Sequence, residues 1–143
     1  MLDAAGEAGS VAGYVRRELD AGARLMGFGH RVYRAEDPRA RLLRDTARAI
    51  GAPRVALAEA FEQEALAELA RRKPDRVLAT NVEYWSAVVL DAASVPADLA
   101  PALFACSRTA GWSAHILEQK WTGRLIRPAA RYIGPPAASL AAA

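Results

Sequence analysis

His30 stands between Gly29 and Arg31, and Gly27 lies two residues before Gly29. Glycine at both positions lets backbone approach a ligand closely. Arg34 and Arg39 follow, so one histidine and several cations converge on a short segment. Arginine is the side chain suited to forked binding of carboxylate or phosphate. The same spacing also fits a solvated basic loop whose histidine makes a local hydrogen bond, since short motifs recur by chance. A phosphate loop is excluded, because no Gly-Lys-Ser/Thr follows the glycines. Glu83 is the next candidate. At the start of an expected helix its carboxylate gains roughly 0.3–1 kcal/mol from the dipole, and it is equally placed to act as a general base at the mouth of a cleft. The dipole lowers its basicity, while desolvation by Tyr84 and Trp85 would raise it. Arg108 is the one cation inside an apolar helix, and a buried arginine needs an anion, either a protein carboxylate or a ligand's. His115, two turns further on, reads as structural, and Cys106 as buried and inert. One cysteine and two separated histidines give no metal-site spacing.

The elements that must position these residues read as helices. Val11, Tyr14, Val15 and Leu19 recur at helical spacing from Val11 to Leu25, with Gly22 weakening and Gly27 ending the helix. Residues 27–33 form an irregular connector. Asp37-Pro38 is a start signal, an N-cap followed by proline in the first helical position. Leu42, Leu43, Thr46, Ala47 and Ile50 give that second helix an apolar face, and Gly51 stops it. A third helix begins near Pro53, carries Leu57, Phe61, Ala65 and Leu69, and ends in Arg71, Arg72 and Lys73, an order that complements the dipole. Asn81 caps a fourth helix through Ala93, which Pro96 breaks. A fifth runs from about Asp98 to Gln119 and is apolar nearly all round. Such a helix is stable only when surrounded. Residues 124–143, with Pro128, Pro135 and Pro136, read as an extended tail. The fold class is all-α.

Composition agrees. Of the 143 residues 34 are alanine, which loses no side-chain entropy in a helix, and 52% are apolar, which excludes a disordered chain. A single cysteine excludes an internal disulfide framework and fits a reducing compartment. With no signal peptide and no apolar run of membrane length, a soluble cytoplasmic protein without membrane contact is expected. The net charge of +3 is too small to imply nucleic acid.

Four ordered segments together resemble the C-terminal part of the citrate synthase family. Gly27-Phe28-Gly29-His30-Arg31-Val32-Tyr33-Arg34-Ala35-Glu36-Asp37-Pro38-Arg39 is similar to the family's Gly-x-Gly-His…Asp-Pro-Arg motif, and Thr80-Asn81-Val82-Glu83 to its Pro-Asn-Val-Asp motif. Ser107-Arg108 with Gly111-Trp112 and His115-Ile116-Leu117-Glu118-Gln119 resembles its Ser-Arg…Gly-Trp…His-x-x-Glu-Gln helix. Ile126-Arg127-Pro128 with Tyr132 and Gly134 resembles the closing Arg-Pro…Tyr-x-Gly stretch.

The resemblance implies a citrate-synthase-like small-domain helical bundle over residues 1–96. It further implies a helix over 97–123 that belongs to the large-domain and dimer region, and a C-terminal tail over 124–143. It implies condensation of acetyl-CoA with oxaloacetate, then hydrolysis of the thioester. His30 matches the histidine that polarises the ketone, and Glu83 the carboxylate base, although most members have aspartate there. Arg39 and Arg108 match arginines that hold oxaloacetate carboxylates, Phe104 an aromatic lining that pocket, and Arg127 an arginine reaching into a second subunit. Leu25, Met26, Gly27, Phe28, Gly29 and Arg34 match positions near the CoA adenine and phosphates. Acetyl-CoA is then a co-substrate, and no tightly bound cofactor or metal is expected. The family's Leu-His-Gly-Gly segment, with the histidine that stabilises the enol, has no counterpart in the sequence. The chain alone is therefore expected to be inactive, working as a homodimer or with a separate large-domain chain. The alternative is a non-catalytic CoA-binding or regulatory module.

Overall fold

Side-chain caps set three of the helix starts. Ser10 Oγ accepts from Gly13 N at 3.2 Å, Asp37 Oδ1 from Arg39 N at 3.0 Å, and Asn81 Oδ1 from Glu83 N at 2.9 Å. In the computed structural model, which describes residues 1–33, 35–123, 125–127 and 131, these caps open α2 (Val11–Asp20), α3 (Pro38–Ala49) and α5 (Val82–Ala92). The remaining helices are α1 (Leu2–Glu7), α4 (Val55–Arg72) and α6 (Ala100–Thr122), with a 3-10 turn over Ala97–Leu99 before α6. No strand occurs among the described residues, only an isolated antiparallel bridge between Phe28 and Thr80. The all-α expectation holds.

The chain divides into two compact units, Met1–Phe104 and the residues from Ala105 onward. In the first, α2 packs on α4, α3 on α5, and α1 against both α2 and α4. The centre is aromatic. Phe61 and Trp85 are fully buried, and the Tyr84 ring lies 5.2 Å from Phe28 and 6.1 Å from Phe61, centroid to centroid. Tyr84 donates its hydroxyl hydrogen to Ala58 O at 2.7 Å, and Trp85 Nε1 donates to Glu62 Oε1 at 3.0 Å. Each buried polar edge in this cluster thus has a partner, as burial requires.

Several boundaries and faces differ from expectation. The first predicted helix stops at Asp20, because Gly22 adopts φ +76°. The six-residue α1 was not anticipated, being shorter than a hydrophobic period can reveal. On α3 the buried positions are Ala40 and Ala47, with Leu43 partly covered, whereas Leu42 and Ile50 are exposed. Arg44, expected off the apolar face, turns inward to the buried carboxylate of Glu62 at 3.6 Å. In α6 no residue is buried. Trp112, Ile116, Leu117 and Trp121 present their side chains to solvent, so their apolar character is not used within the second unit. Cys106 is exposed, not buried.

Candidate functional site

The His30 loop is held by the segment that starts α5. Gly29 N donates to Ala79 O at 2.7 Å, Asn81 N to Gly27 O at 2.9 Å, and Asn81 Nδ2 to Gly29 O at 2.9 Å. One asparagine therefore caps the helix bearing Glu83 and fastens the loop bearing His30. The two glycines are required by this fit. At Gly27, φ is +89° and an added Cβ would lie 2.8 Å from Tyr84 Cβ; at Gly29, φ is +85° and it would lie 2.9 Å from Leu78 Cδ2. What approaches these glycines so closely is the protein's own chain.

His30 Nδ1 accepts two backbone hydrogens, from Val32 N and Tyr33 N, each at 3.0 Å. In the neutral ring this assigns the proton to Nε2. Arg39 Nη2 stands 3.3 Å from that same Nε2, and a guanidinium has only donors. Two donors thus meet edge to edge, an arrangement satisfied by an oxygen acceptor placed beside them and within reach of both. The Tyr33 ring flanks both groups, 4.8 Å from the His30 ring and 5.4 Å from the Arg39 guanidinium carbon.

Asp37 fixes Arg39. Its Oδ1 accepts from Arg39 Nε at 3.0 Å and its Oδ2 from Arg39 Nη2 at 2.9 Å, a forked pair. The Asp37 carboxylate is 1% exposed, and the hydrogen bonds from Arg39 hold its pKa below the usual carboxylate range against the cost of burial.

A cleft of about 820 Å³ opens beside His30. Leu25, Phe28, Leu69 and Leu78 give it an apolar floor, and Arg24, Arg31, Lys73 and Arg76 line it with four cations against the single carboxylate of Asp75. Such a cleft suits a ligand with a flat apolar ring and several anionic groups. Sequence reading named Leu25, Phe28 and Gly29 here but missed Arg24, Lys73 and Arg76. Their cationic character was visible, but their convergence depends on the turn after α4 folding back beside α2. Met26 and Gly27 instead line a second, more apolar groove of about 320 Å³, together with Glu83, Ala87 and Pro96.

The structure therefore brings His30 and Arg39 together and joins their loop to the turn carrying Glu83, whose residue is exposed. Phe104 closes the first unit and is half-buried. Arg108 belongs to the second unit and is exposed, so the expected burial within the helix is not found; Arg127, further along, is exposed as well. His115 lies on the surface of α6 with Nδ1 3.6 Å from Glu118 Oε2. Arg34, Pro128, Tyr132 and Gly134 lie outside the described residues. Among the described residues no group of three or more His, Cys, Asp or Glu is placed to hold a metal, and no helix is long and apolar enough to cross a membrane.

Comparison with known proteins bears on the same segments. The family described as citrate synthase, C-terminal domain, matches residues 1–129. The chain is 62% identical over 135 residues to the Mycobacterium tuberculosis protein named "Putative citrate synthase 2", covering 94% of this chain and 36% of that protein. The fold matches citrate synthase from Thermoplasma acidophilum, solved as a ternary complex with carboxymethyl coenzyme A and oxaloacetate, at a TM-score of 0.67. The identity there is 32%, and the match covers 87% of this chain and 35% of that one. It also matches a citryl-CoA lyase from Hydrogenobacter thermophilus, at a TM-score of 0.64 and 27% identity, over 89% of this chain and 51% of the other. The chain spans about a third of the length of the curated relatives it matches.

Proposed function

The chain belongs to the citrate synthase family, and from that premise we propose that it supplies the small-domain half of an acyltransferase site. Acetyl-CoA and oxaloacetate are the co-substrates, and no tightly bound cofactor takes part. The observation that carries this reading is the pair of donors, His30 Nε2 and Arg39 Nη2, set 3.3 Å apart beside a cationic cleft. Oxaloacetate offers a ketone oxygen and carboxylates to such a pair, and CoA offers an adenine and phosphates to the cleft.

In this reading Glu83 takes a proton from the acetyl methyl group. The resulting carbon nucleophile forms a bond to the ketone carbon of oxaloacetate, and the ketone oxygen takes up the electron pair and a proton from His30 Nε2, which the proton held by Glu83 replaces through solvent. His30 Nε2–H and Arg39 are set for that oxygen and its neighbouring carboxylate, so their donors strengthen as charge develops. Water then cleaves the thioester, releasing citrate and the CoA thiol. Phe104 and Arg108 are assigned to oxaloacetate, and Arg127 to the site of a second subunit. Residues 1–96 form the CoA and catalytic-loop domain, 97–123 the helix that docks a large domain or second subunit, and 124–143 the tail. The solvent-facing Trp112, Ile116, Leu117 and Trp121 support the docking role. The free Cys106 supports a reducing, cytoplasmic location.

The test is reconstitution. The chain is combined with the large-domain portion of the M. tuberculosis relative, and release of CoA thiol is followed with acetyl-CoA and oxaloacetate present. We expect no turnover from the chain alone, turnover from the combination, and loss of at least a hundredfold in Glu83→Gln with CoA binding retained. Turnover in Glu83→Gln moves the base elsewhere. CoA binding without turnover in any combination selects the non-catalytic module, and cleavage of citryl-CoA without condensation selects a lyase.

A further inference from the structure

Asp37 also reaches beyond its own helix. Its Oδ2, already taken by Arg39 Nη2, also accepts from Val82 N at 3.1 Å, the first residue of α5. The four donors to this one carboxylate are Arg39 N, Arg39 Nε, Arg39 Nη2 and Val82 N. They come from two helices, and Val82 lies 45 residues beyond Asp37 in sequence. Glu83 is the next residue after Val82, and His30 Nε2 faces the guanidinium that Asp37 grips. Each oxygen accepts two hydrogens, so the carboxylate is saturated by the protein and has no capacity left for a substrate.

We propose that Asp37 is a positioning residue that sets both halves of the site at once. It holds the Arg39 fork against His30, and it fixes the first turn of α5 and with it the backbone from which Glu83 projects. A neutral amide cannot replace it. Asparagine would still cap α3 through its oxygen, but its NH2 would face Arg39 Nη2 and Val82 N, donor against donor. This inference rests on the reading above only for the roles of His30, Arg39 and Glu83; the contacts themselves need no substrate.

The test uses the full 143-residue chain, its ring and guanidinium nitrogens observed by NMR. In the wild type the Arg39 Nε–H should exchange slowly with water, and the His30 ring should show the Nε2–H tautomer. In Asp37→Asn we expect the Arg39 Nε–H to exchange at least tenfold faster and the His30 ring signals to shift, while the α4 amides stay protected. A folded Asp37→Asn chain that keeps wild-type Arg39 exchange and His30 signals overturns the proposal. The α5 arm is tested separately by Val82→Pro, which deletes one N–H donor at a position where proline suits a helix start. That variant should keep slow Arg39 exchange and speed exchange of the Glu83 amide at least tenfold. Unchanged Glu83 exchange there overturns the proposal, and it remains decisive should Asp37→Asn fail to fold. Absence of synthase activity in the reconstituted enzyme would refute the functional reading and leave these signals as predicted.

Discussion

Replacing Gly27 with alanine separates two costs that the structure imposes on the same residue. The first is conformational: at φ +89° an L side chain costs about 1–2 kcal/mol in the left-handed region. The second is steric. The new Cβ would sit 2.8 Å from Tyr84 Cβ and 3.2 Å from Tyr84 Cα, and overpacking of this sort costs about 1–3 kcal/mol. Tyr84 has little room to yield. It is 3% exposed, its ring packs between Phe28 and Phe61, and its hydroxyl is bound to Ala58 O. The sum, about 2–5 kcal/mol, is a large share of the roughly 5–15 kcal/mol that stabilises a typical domain. Gly22→Ala provides the control, because φ there is +76° and nothing lies within 4 Å of the added atom. It should lose only the conformational part. Urea unfolding of the chain, followed by near-ultraviolet circular dichroism of the buried Tyr84 and Trp85, reads the difference. With a slope of about 1–3 kcal/mol per molar urea, the Gly27→Ala midpoint should fall about 1 M below that of Gly22→Ala. Equal midpoints would refute the packing argument and leave only the backbone one.

Two further outcomes are expected. Lys73→Ala and Arg76→Ala should each weaken CoA binding by about 0.5–1 kcal/mol, roughly two- to fivefold, at low salt, with the effect fading at high salt; calorimetry showing no change at low ionic strength would place the phosphates elsewhere. Asp37 has a folded pKa below its unfolded value, so its stabilising effect is complete above about pH 4 to 5 and is lost as pH falls through the folded pKa. Glu68, drawn down to about 2 chiefly by the hydrogen bond from Arg71, acts in the same sense. Urea midpoints measured from pH 6 to pH 2 should therefore fall less steeply in Asp37→Asn than in the wild type, and parallel curves would remove Asp37 from the linkage.

What the sequence disclosed follows the range of the interactions involved. Asp37 and Asn81 were legible as caps because a cap acts within three residues, and both open helices where expected. The ends of α2 and the burial pattern of α3 were less so. Leu42 and Ile50 have the right spacing for a core face, yet α5 packs on the side of α3 marked by the smaller Ala40 and Ala47. Gly27 and Gly29 stand out in the sequence as openings for a ligand, but no spacing rule could show that Tyr84 and Leu78 are what lies against them. Arg24, Lys73 and Arg76 come from segments about fifty residues apart, and their convergence is a tertiary property. The double grip of Asp37 on Arg39 and Val82 is the same kind of fact.

The bridge between Phe28 and Thr80 has a consequence for the order in which the protein folds. Its asparagine bond joins residues 52 apart, and closing a loop of that length costs roughly 3.5 kcal/mol in chain entropy before any fixed term is added. The three hydrogen bonds that fasten the loop return about 0.5–1.5 kcal/mol each, about 3 kcal/mol together at the middle of that range, which falls short of closure once the fixed term is included. The aromatic contacts among Phe28, Phe61 and Tyr84 must already be drawing the two segments together. The aromatic core therefore forms no later than the loop is fastened to the start of α5, whereas the contact between His30 and Arg39, nine residues apart, needs no such closure.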